Sequence, residues 1–348
     1  MYLKINDRNI GEGNPTFIIA ELSANHNQDY DIAVDTVKAA MEVGADAIKL
    51  QTYTPDTITI DCNNKYFQIN QGTLWDGKTL YELYKEAYTP WEWQPKLKKI
   101  ANELGLVCFS SPFDKTAVDF LEEMQVPAYK VASFEITDIP LIKYIASIGK
   151  PVILSTGIAT LEDIEEAVNA CREVGNNQIV LLKCTSAYPA PVEEANLKTI
   201  PDLAKRFGVV SGLSDHTLGI SVPVAAVALG ARIIEKHFIL DKNIGGPDAA
   251  FSLDKSEFKA MVDAVRSAEK AIGSVSYELS EKMKKGRIFS RSLFVVKDMK
   301  RGEVFSEKNV RSIRPGYGLH PRHMEEILGQ RAMIDILKGT PLSWDMIE

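Results

Sequence analysis

The chain contains 348 residues with a formal net charge of −7, and 45% of its residues are hydrophobic. A chain of this length can form a barrel of about 250 residues plus a small module, with a core that needs no disulfides. The acidic balance argues against a nucleic-acid or anionic-membrane surface, so any phosphate site must come from local lysines and backbone N–H groups.

The cysteines and the first residues of the chain bear on its compartment. The four cysteines show no CxxC pairing, and Cys108 and Cys184 lie in apolar runs that predict buried small hydrophobes, as in a reducing environment. The opening MYLKINDRNIGEG has no apolar signal-peptide core. No run approaches the roughly 18 apolar residues of a membrane helix. We therefore expect a cytoplasmic protein with no membrane or nucleic-acid partner.

Strand-like and helix-like segments alternate along most of the chain. The predicted strands are Phe17–Ser23, Asp46–Tyr53, Val107–Pro112, Ala128–Phe134, Val152–Gly157, Ile179–Ser186, Val209–Asp215 and Arg232–Ile239. Amphipathic segments with a period near 3.6 lie between them, and Thr160 is a predicted helix N-cap. Eight β/α repeats predict a (β/α)8 TIM barrel of the α/β class rather than an open doubly wound sheet. No GxGxxG follows any strand, so a dinucleotide fold has no fingerprint here.

Two regions depart from this repeat. A long insertion follows the second strand, from Asp56 to about Pro90, and long loops on the C-terminal face of a barrel usually cover or shape a site. After about Ser274 the sequence becomes polar, and residues 275–286 predict a linker or surface helix. Short strands and turns from Arg287 onward predict a compact module. We therefore place a barrel domain at residues 1–280 and a second domain at residues 287–348.

Lysines and hydroxyl side chains collect at the C-terminal ends of the predicted strands, where barrel enzymes assemble their sites. Lys49 lies two residues before Gln51, so both face the same side of their strand. A lysine in an apolar strand carries a desolvation cost unless it meets an anion, and Lys49, Lys130 and Lys183 share this character. Together they predict a pocket for phosphate or carboxylate. Each lysine could equally pair with a barrel carboxylate, such as Glu235.

Two histidines end the seventh and eighth predicted strands. His216 closes VVSGLSDH and His237 lies in RIIEKHFI. Adjacent parallel strands joined by a crossover helix place both imidazoles at the same end of the sheet, where they could bind one divalent metal. Either histidine could instead simply cap its strand in a polar pocket. His26 follows the first strand, and we predict a loop hydrogen-bonding role for it rather than metal binding.

These residues alone leave two reaction classes open. A desolvated lysine can act as a Schiff-base nucleophile, as in a lysine aldolase. The paired histidines favour a metal-assisted reaction on a phosphorylated substrate instead. The Ser155-Thr156-Gly157 segment is equally typical of a plain turn, and Glu21 could be no more than a buried partner for Lys49.

Many ordered sequence blocks resemble the nonulosonate (sialic acid) synthase family. They are AELSANH, IKLQTYTPD, CFSSPFD, AYKVASFE, ILSTGIAT, LKCTSAYP, GLSDHTLG, ALGARIIEKHF, GPDAAFSLD, RSLFVVKDMKRGEVF and RPGYGLHP. The resemblance covers almost the whole chain. It implies a catalytic (β/α)8 barrel followed by a small C-terminal antifreeze-like (SAF) domain. It also implies condensation of phosphoenolpyruvate with an N-acylated amino sugar, release of phosphate, and a divalent metal, Mn²⁺ or Mg²⁺.

Three features resemble the pseudaminic acid branch of that family. The chain has AELSANH where the neuraminate and legionaminate branches tend to have AEIGxNHNG, and FSLD where they tend to have an ASLEP-like block. The GTLWDG and LYELY segments also resemble that branch. The sugar implied is 2,4-diacetamido-2,4,6-trideoxy-L-altrose. The alternatives are a neuraminate or legionaminate synthase, and a lysine aldolase or related phosphoenolpyruvate condensing enzyme for short phosphosugars. A further alternative is a binding protein whose C-terminal module binds a saccharide or an ice-like surface.

The resemblance also assigns catalytic roles. His216 and His237 match the metal ligands, and the metal would polarise the sugar aldehyde for attack by C3 of phosphoenolpyruvate. Glu21 resembles an acidic position near the metal that could orient or deprotonate the attacking water. Lys49 and Glu135 complete the expected catalytic set.

The remaining assignments concern substrate binding. Positions that resemble the phosphoenolpyruvate ligands are Lys49, Ser111, Lys130, Ser133, Ser155, Lys183 and Ser214. Positions that resemble the sugar or metal side are Gln51, Glu135, Tyr188 and Asp248. Arg314 is similar to an arginine that a partner subunit's antifreeze-like domain supplies to the sugar's acetamido group. The resemblance thus implies a domain-swapped homodimer.

Overall fold

The computed structural model describes residues 2–348, which form two compact units divided between Gly273 and Ser274. The first unit begins with a short hairpin, β1 Tyr2–Ile5 and β2 Arg8–Gly11. Eight parallel strands follow, and they are β3 Phe17–Glu21, β4 Ala47–Thr52, β5 Val107–Pro112, β6 Tyr129–Val131, β7 Val152–Ser155, β8 Ile179–Cys184, β9 Val210–Asp215 and β10 Ile233–His237. They form a closed barrel in the order β10-β3-β4-β5-β6-β7-β8-β9. The predicted TIM barrel is confirmed.

Helices follow the strands of the barrel. They are α1 Tyr30–Glu42, α2 Pro55–Ile58, α3 Leu80–Ala87, α4 Gln94–Glu103, α5 Lys115–Glu123, α6 Ile139–Ser147, α7 Leu161–Glu173, α8 Thr199–Phe207, α9 Ser221–Ala228 and α10 Lys255–Ile272. Side-chain caps start several of them, because the first N–H groups of a helix lack intrahelical partners. Thr160 accepts from the N–H of Asp163 in a capping box at α7, so the predicted N-cap is confirmed. None of the helices in residues 2–348 is long and apolar enough to cross a bilayer.

Alternation along the strands divides the core into two layers. Phe17, Ile19 and Ile233 belong to one buried cluster, whereas Ile18 and Ile234 belong to another that includes residues of α1 and α10. This period of two is the geometry of a β-strand buried on both faces. It also sends Glu21 and Lys49 inward, where polar groups meet at the C-terminal ends of the strands.

The interior is tight enough at one position to require glycine. A Cβ on Gly212 of β9 would lie 2.4 Å from the carbonyl oxygen of Ile233 and 2.9 Å from a side-chain carbon of Leu182. Even alanine would therefore push β9 away from its neighbours. The glycine lets β8, β9 and β10 approach closely just before Ser214 and His216.

The sequence analysis missed the β1–β2 hairpin. Its strands pair antiparallel, Tyr2 opposite Gly11 and Ile5 opposite Arg8, around a turn in which Asn6 has φ 51°. Leu3 and Ile10 are buried in the cluster that contains Phe17, so the hairpin extends the barrel core. Strands of four residues carry too little alternation to be recognised without this packing.

The insertion after β4 contains two helices of its own, α2 and α3. Tyr84 of α3 packs edge-on against Tyr53 at 5.6 Å between ring centroids. The insertion also contains Cys62, which is partly exposed, whereas Cys108, Cys171 and Cys184 are buried and all four are free thiols. The insertion is therefore a structured cover with packed aromatic residues.

The second unit has its own small core. Strands β11 Ser292–Val295 and β12 Val310–Ile313 pair antiparallel, with Ser292 opposite Ile313. Two short helices are α11 Glu281–Gly286 and α12 Met324–Ile327. Leu293, Phe305 and Ile327 are among the residues buried in its core. These short strands and turns match the compact module expected from the sequence.

Candidate active site

Four charged side chains meet inside the barrel, and we call Glu21, Lys49, Lys130 and Glu235 the lysine–carboxylate cluster. The Lys49 Nζ lies 2.6 Å from Glu21 Oε2 and 3.0 Å from Glu235 Oε1. The Lys130 Nζ lies 3.9 Å from the same Glu235 oxygen. All four side chains are buried. Lys49 therefore pairs with barrel carboxylates in this structure, which was one of the two alternatives for the interior lysines.

The cluster lowers the pKa of two of its members, Lys49 and Glu235. Burial lowers the pKa of Lys49 to about 8 against the attraction of Glu235. Burial would raise the pKa of Glu235, but Lys130 and Lys49 together lower it to about 2. Ser214 also donates to Glu235 Oε1 at 3.0 Å, and Gln51 donates to Glu21 Oε1 at 3.3 Å. Lys49, Ser214 and Gln51 therefore fix the two glutamates in place.

Hydroxyl groups at the ends of neighbouring strands lie buried beside this cluster. The Ser111 and Ser155 Oγ atoms have no hydrogen-bond partner within residues 2–348. Leaving a buried hydroxyl unsatisfied costs about 1–3 kcal/mol, so these atoms favour a bound hydrogen-bonding ligand. Lys183 Nζ donates to the carbonyl of Cys184 at 2.6 Å, and burial lowers the pKa of Lys183.

A small cradle lies beside Gly157. Ser186 Oγ donates to Ser133 Oγ at 2.8 Å, and the backbone N–H of Ile158 donates to Ser133 Oγ at 3.2 Å. A Cβ on Gly157 would stand 2.2 Å from Ser186 Oγ, 2.6 Å from Ser133 Oγ and 3.0 Å from the Cys184 sulfur. The glycine therefore keeps a space beside the hydroxyl of Ser133, whose own hydrogen remains available to donate to a bound anion. Sequence reasoning left this segment open as a plain turn and did not select Gly157 or Ser186.

The two histidines lie side by side, with ring centroids 5.3 Å apart. His216 Nδ1 lies 3.0 Å from the carbonyl of Thr185, which fixes the ring and leaves its Nε2 for another partner. His237 Nδ1 is buried, has no hydrogen-bond partner in the described chain, and lies 3.6 Å from Asp248 Oδ2. Burial, then the neighbouring His216, holds the pKa of His237 well below its usual range. The predicted juxtaposition of the two imidazoles is present.

These donors fit a cation site that is incomplete without solvent or substrate. Among residues 2–348, no group of three His, Cys, Asp or Glu side chains is arranged to hold a metal. His237 nevertheless has a buried nitrogen without a partner, and a neutral imidazole is a metal donor. Catalytic metal sites characteristically keep a coordination position open. His26 is different, because Thr89 and the N–H of Gln28 contact its two ring nitrogens.

A pocket of about 310 Å³ opens above these groups. Six of the predicted site residues line it, and they are Gln51, Ser133, Glu135, Tyr188, His237 and Asp248. Lys49, Lys130, Ser111, Ser155 and Ser214 lie buried in the barrel. Arg314 lies in the second unit, and its side chain is exposed. The barrel thus brings the predicted residues together, apart from Arg314.

Glu135 stands out among the residues that line the pocket. It ends a short turn, Ser133–Glu135, directly after β6. Its Oε2 is buried without a hydrogen-bond partner among the described residues. Burial raises the pKa of Glu135 to about 7, against the opposing attraction of Lys130. This carboxyl group can therefore exchange a proton near neutral pH.

One side of the pocket is lined by apolar and aromatic side chains that were not predicted from the sequence. We call it the apolar wall, and it consists of Tyr53, Trp75, Leu83, Tyr84 and Phe113. Trp75 donates its indole N–H to the carbonyl of Pro247 at 3.0 Å. Its ring lies 5.7 Å from that of Tyr188. Trp75, Leu83 and Tyr84 come from the insertion, within the GTLWDG and LYELY segments. Those segments indicated only a family branch, because their position in the pocket depends on tertiary packing.

Comparison with known proteins identifies the class. The NeuB family profile matches residues 36–277, and the SAF domain profile matches residues 290–348. In the solved structures, the spore coat polysaccharide biosynthesis protein spsE from Bacillus subtilis is similar with a TM-score of 0.68 and 36% identity, over 100% of this chain and 99% of that one. The chain belongs to the NeuB family and ends in a SAF domain.

Relatives within the family differ clearly in their similarity. The chain is 51% identical to the pseudaminic acid synthase of Campylobacter jejuni, over 96% of this chain and 97% of the relative. It is 50% identical to that of Helicobacter pylori, over 96% and 98%. Identity to the N,N'-diacetyllegionaminic acid synthase of Legionella pneumophila is 38%, over 97% and 96%. The family resemblance predicted from the sequence is therefore confirmed.

Proposed function

We propose that the protein is a pseudaminic acid synthase. It condenses phosphoenolpyruvate with 2,4-diacetamido-2,4,6-trideoxy-L-altrose, adds water and releases phosphate. The observation that carries this proposal is that one barrel mouth holds buried lysines, unsatisfied hydroxyls and paired histidines, in a chain half identical to pseudaminic acid synthases over nearly its full length.

Phosphoenolpyruvate is proposed to bind at the inner end of the pocket. Within the lysine–carboxylate cluster, the charges of two lysines balance those of two glutamates. The positive charge that attracts the substrate anion would therefore come from Lys183. Ser111 and Ser155 offer hydroxyls that have no partner in residues 2–348, and the cradle beside Gly157 offers the hydroxyl of Ser133. Such convergent donors suit a phosphate and a carboxylate on one small molecule. Ser214 would join this set only by exchanging the hydrogen bond that it donates to Glu235 Oε1 at 3.0 Å.

The proposed metal is Mn²⁺ or Mg²⁺, held by His216 and His237. When bound, it supplies a Lewis acid that polarises the sugar aldehyde oxygen. The chain's contribution is to keep His237 neutral and His216 fixed. Burial holds the pKa of His237 well below its usual range, and the carbonyl of Thr185 holds the His216 ring. Asp248 Oδ2 lies 3.6 Å from His237 Nδ1, so this carboxyl group is also near the proposed metal.

The reaction requires one C–C bond to form and one C–O bond to break. The C2=C3 electrons of phosphoenolpyruvate form the new bond to the aldehyde carbon, and the aldehyde oxygen takes up a proton. Water then adds at C2 and loses one proton, which leaves a hydroxyl on C2. The C2–O bond to phosphate breaks with its electrons on phosphate, the hydroxyl proton passes to the departing phosphate, and C2 becomes the ketone. Glu135, with a pKa near 7, is the proposed proton donor to the sugar oxygen. Glu21, held by Lys49 and Gln51, is the proposed residue that orients the water.

The apolar wall supports the choice of a deoxygenated sugar. Trp75 has already given its indole N–H to Pro247, so it offers the ligand only its ring. Leu83 and Phe113 add further apolar surface. Aromatic and aliphatic surfaces favour methyl groups over hydrated hydroxyls, and the trideoxy sugar carries a C6 methyl and two acetamido methyls. Tyr188, between Trp75 and His216, is placed to contact the sugar as well.

We also propose a homodimer in which Arg314 of the partner subunit reaches the sugar's acetamido group. Support comes from the resemblance of the Ile313-Arg314-Pro315-Gly316 segment and from the exposure of Arg314. An exposed, permanently charged guanidinium is available for contacts outside its own domain.

The deciding experiment is a substrate panel with purified protein. Phosphate release is measured with phosphoenolpyruvate plus the trideoxy altrose, N-acetylmannosamine, or the legionaminate precursor, and products are identified by mass. The expected result is rapid release with the trideoxy sugar alone, abolished by chelation and restored by Mn²⁺. Turnover of N-acetylmannosamine without the trideoxy sugar would overturn the choice of sugar. A borohydride-trapped lysine adduct, or full activity after exhaustive metal removal, would indicate a lysine aldolase instead.

A further inference from the structure

A buried ion pair lies directly behind the two histidines. Asp215 is the last residue of β9 and is followed by His216, and Lys236 precedes His237 within β10. Because side chains alternate along a strand, both project from the barrel face opposite to Ser214 and Glu235. The strand register places Lys236 opposite Asp215, and Lys236 Nζ lies 2.5 Å from Asp215 Oδ2. Their side chains are 0% and 2% exposed.

The pair also fixes the chain just beyond His216. Lys236 Nζ donates to the carbonyl of Thr217. Asp215 Oδ1 accepts from the N–H of Thr217 at 3.0 Å and from its hydroxyl at 2.8 Å. Residues 215 and 217 are therefore held from the outer face, on either side of His216. The same lysine is covalently next to His237, so one ion pair joins the backbone supports of both histidines.

Stability alone does not account for this pair. The surrounding outer layer contains apolar residues such as Leu213 and Ile234. Removing two charges from water into such a layer is expensive, and well-packed apolar replacements of buried ion pairs are often neutral or stabilising. What an apolar pair cannot supply is the set of directed bonds to Thr217.

We propose that Asp215 and Lys236 are positioning residues that set the spacing and orientation of His216 and His237 for a divalent cation. This inference rests on the proposed function, because it takes the two histidines as the cation's protein ligands. Neither Asp215 nor Lys236 touches substrate. Residues that support metal ligands from behind typically change metal affinity by about 10- to 100-fold when they are replaced.

The test compares Mn²⁺ binding, without substrates, in the full-length wild type and in the double variant Asp215→Leu/Lys236→Met. Free Mn²⁺ is measured by electron paramagnetic resonance, and the free energy of unfolding is measured by urea titration. The expected result is a Kd for Mn²⁺ raised about 10- to 100-fold with stability retained. Affinity for phosphoenolpyruvate, measured separately by calorimetry, should change less than about threefold, since the lysine–carboxylate cluster lies on the other face.

Two further variants make the outcome decisive. Lys259→Met/Asp263→Leu removes an exposed ion pair on α10 and should bind Mn²⁺ like the wild type. Lys236→Arg keeps a cation beside Asp215, so it should retain most of the wild-type affinity for Mn²⁺. It therefore gives a second comparison if the double variant folds poorly. If the double variant does not fold, Lys236→Met takes its place. Wild-type Mn²⁺ affinity in the folded variant would overturn the positioning role and leave the proposed function standing. His237→Ala is expected to bind no Mn²⁺. If the wild type also bound none, the metal part of the proposed function and this inference would both be overturned.

Discussion

Glu135 shows how one residue's surroundings prepare it for chemistry at a cost to stability. Its side chain lies at the pocket, close enough to Lys130 for that cation to lower its pKa, yet burial dominates and raises the pKa to about 7. A carboxyl group that is harder to ionise in the folded state than in the unfolded state opposes folding once it is charged. The same property that allows proton transfer near neutral pH therefore destabilises the barrel at higher pH.

Glu135→Gln should stabilise the protein only where the wild-type carboxyl would ionise. The ordinary pKa is 4.5 and the folded value about 7, so the penalty develops between these values and is complete above pH 7. Urea titrations should give similar free energies of unfolding for variant and wild type at pH 4.5. At pH 8 the variant should be more stable by about 2–3 kcal/mol. A difference that does not depend on pH would contradict the raised pKa.

Gly157→Ala should weaken phosphoenolpyruvate binding without unfolding the barrel. The new methyl group would collide with the hydroxyls of Ser133 and Ser186, which line the cradle. The KM for phosphoenolpyruvate should rise by at least about tenfold, as expected when one or more charge-assisted hydrogen bonds are displaced. Gly286→Ala is the matched control, because a Cβ there has no neighbour within 4 Å. Unchanged kinetics in Gly157→Ala would mean that the cradle holds no substrate anion.

At the scale of elements, the barrel was the most predictable part of the molecule. All eight predicted strands match observed ones, because parallel strands buried on both faces appear as apolar runs between helix caps and glycines. The β1–β2 hairpin was missed because its short strands gain stability only from packing on the barrel. Sequence spacing predicted that Lys49, Gln51 and the histidines lie at one end of the barrel. It could not predict that Lys49 pairs with both Glu21 and Glu235.

The insertion is the element whose role depended most on the folded structure. Trp75→Ala should raise the KM for the sugar by about tenfold, the effect of losing a large apolar contact, and leave the KM for phosphoenolpyruvate within about twofold. Steady-state kinetics with each substrate varied in turn measure both values. Tyr66→Ala is the control, since Tyr66 lies in the same insertion but is 78% exposed. Equal changes in the two KM values would show that the insertion does not contact the sugar selectively.

For the whole molecule, the central question is whether the second unit takes part in catalysis. The swapped-domain proposal gives each active site a barrel from one chain and Arg314 of the partner subunit. A heterodimer of His237→Ala and Arg314→Ala would then contain one intact site and one doubly altered site. Co-expression with two different tags allows this heterodimer to be isolated.

That heterodimer should recover about half of the wild-type activity, although each parent homodimer is nearly inactive. Phosphate release per dimer is the measurement. A heterodimer of His216→Ala and His237→Ala should stay inactive, because both of its barrels lack a histidine. If Arg314 acted within its own chain, the first heterodimer would also be inactive, and the swapped arrangement would be wrong.

Cys62 gives the insertion a practical use. The other three thiols are buried, so a maleimide fluorophore added to the native protein should react at this one partly exposed position. Trp75 lies in the same insertion and could quench such a dye. Stopped-flow emission could then follow arrival of the sugar separately from phosphate release, and would show whether covering the pocket or bond formation limits turnover.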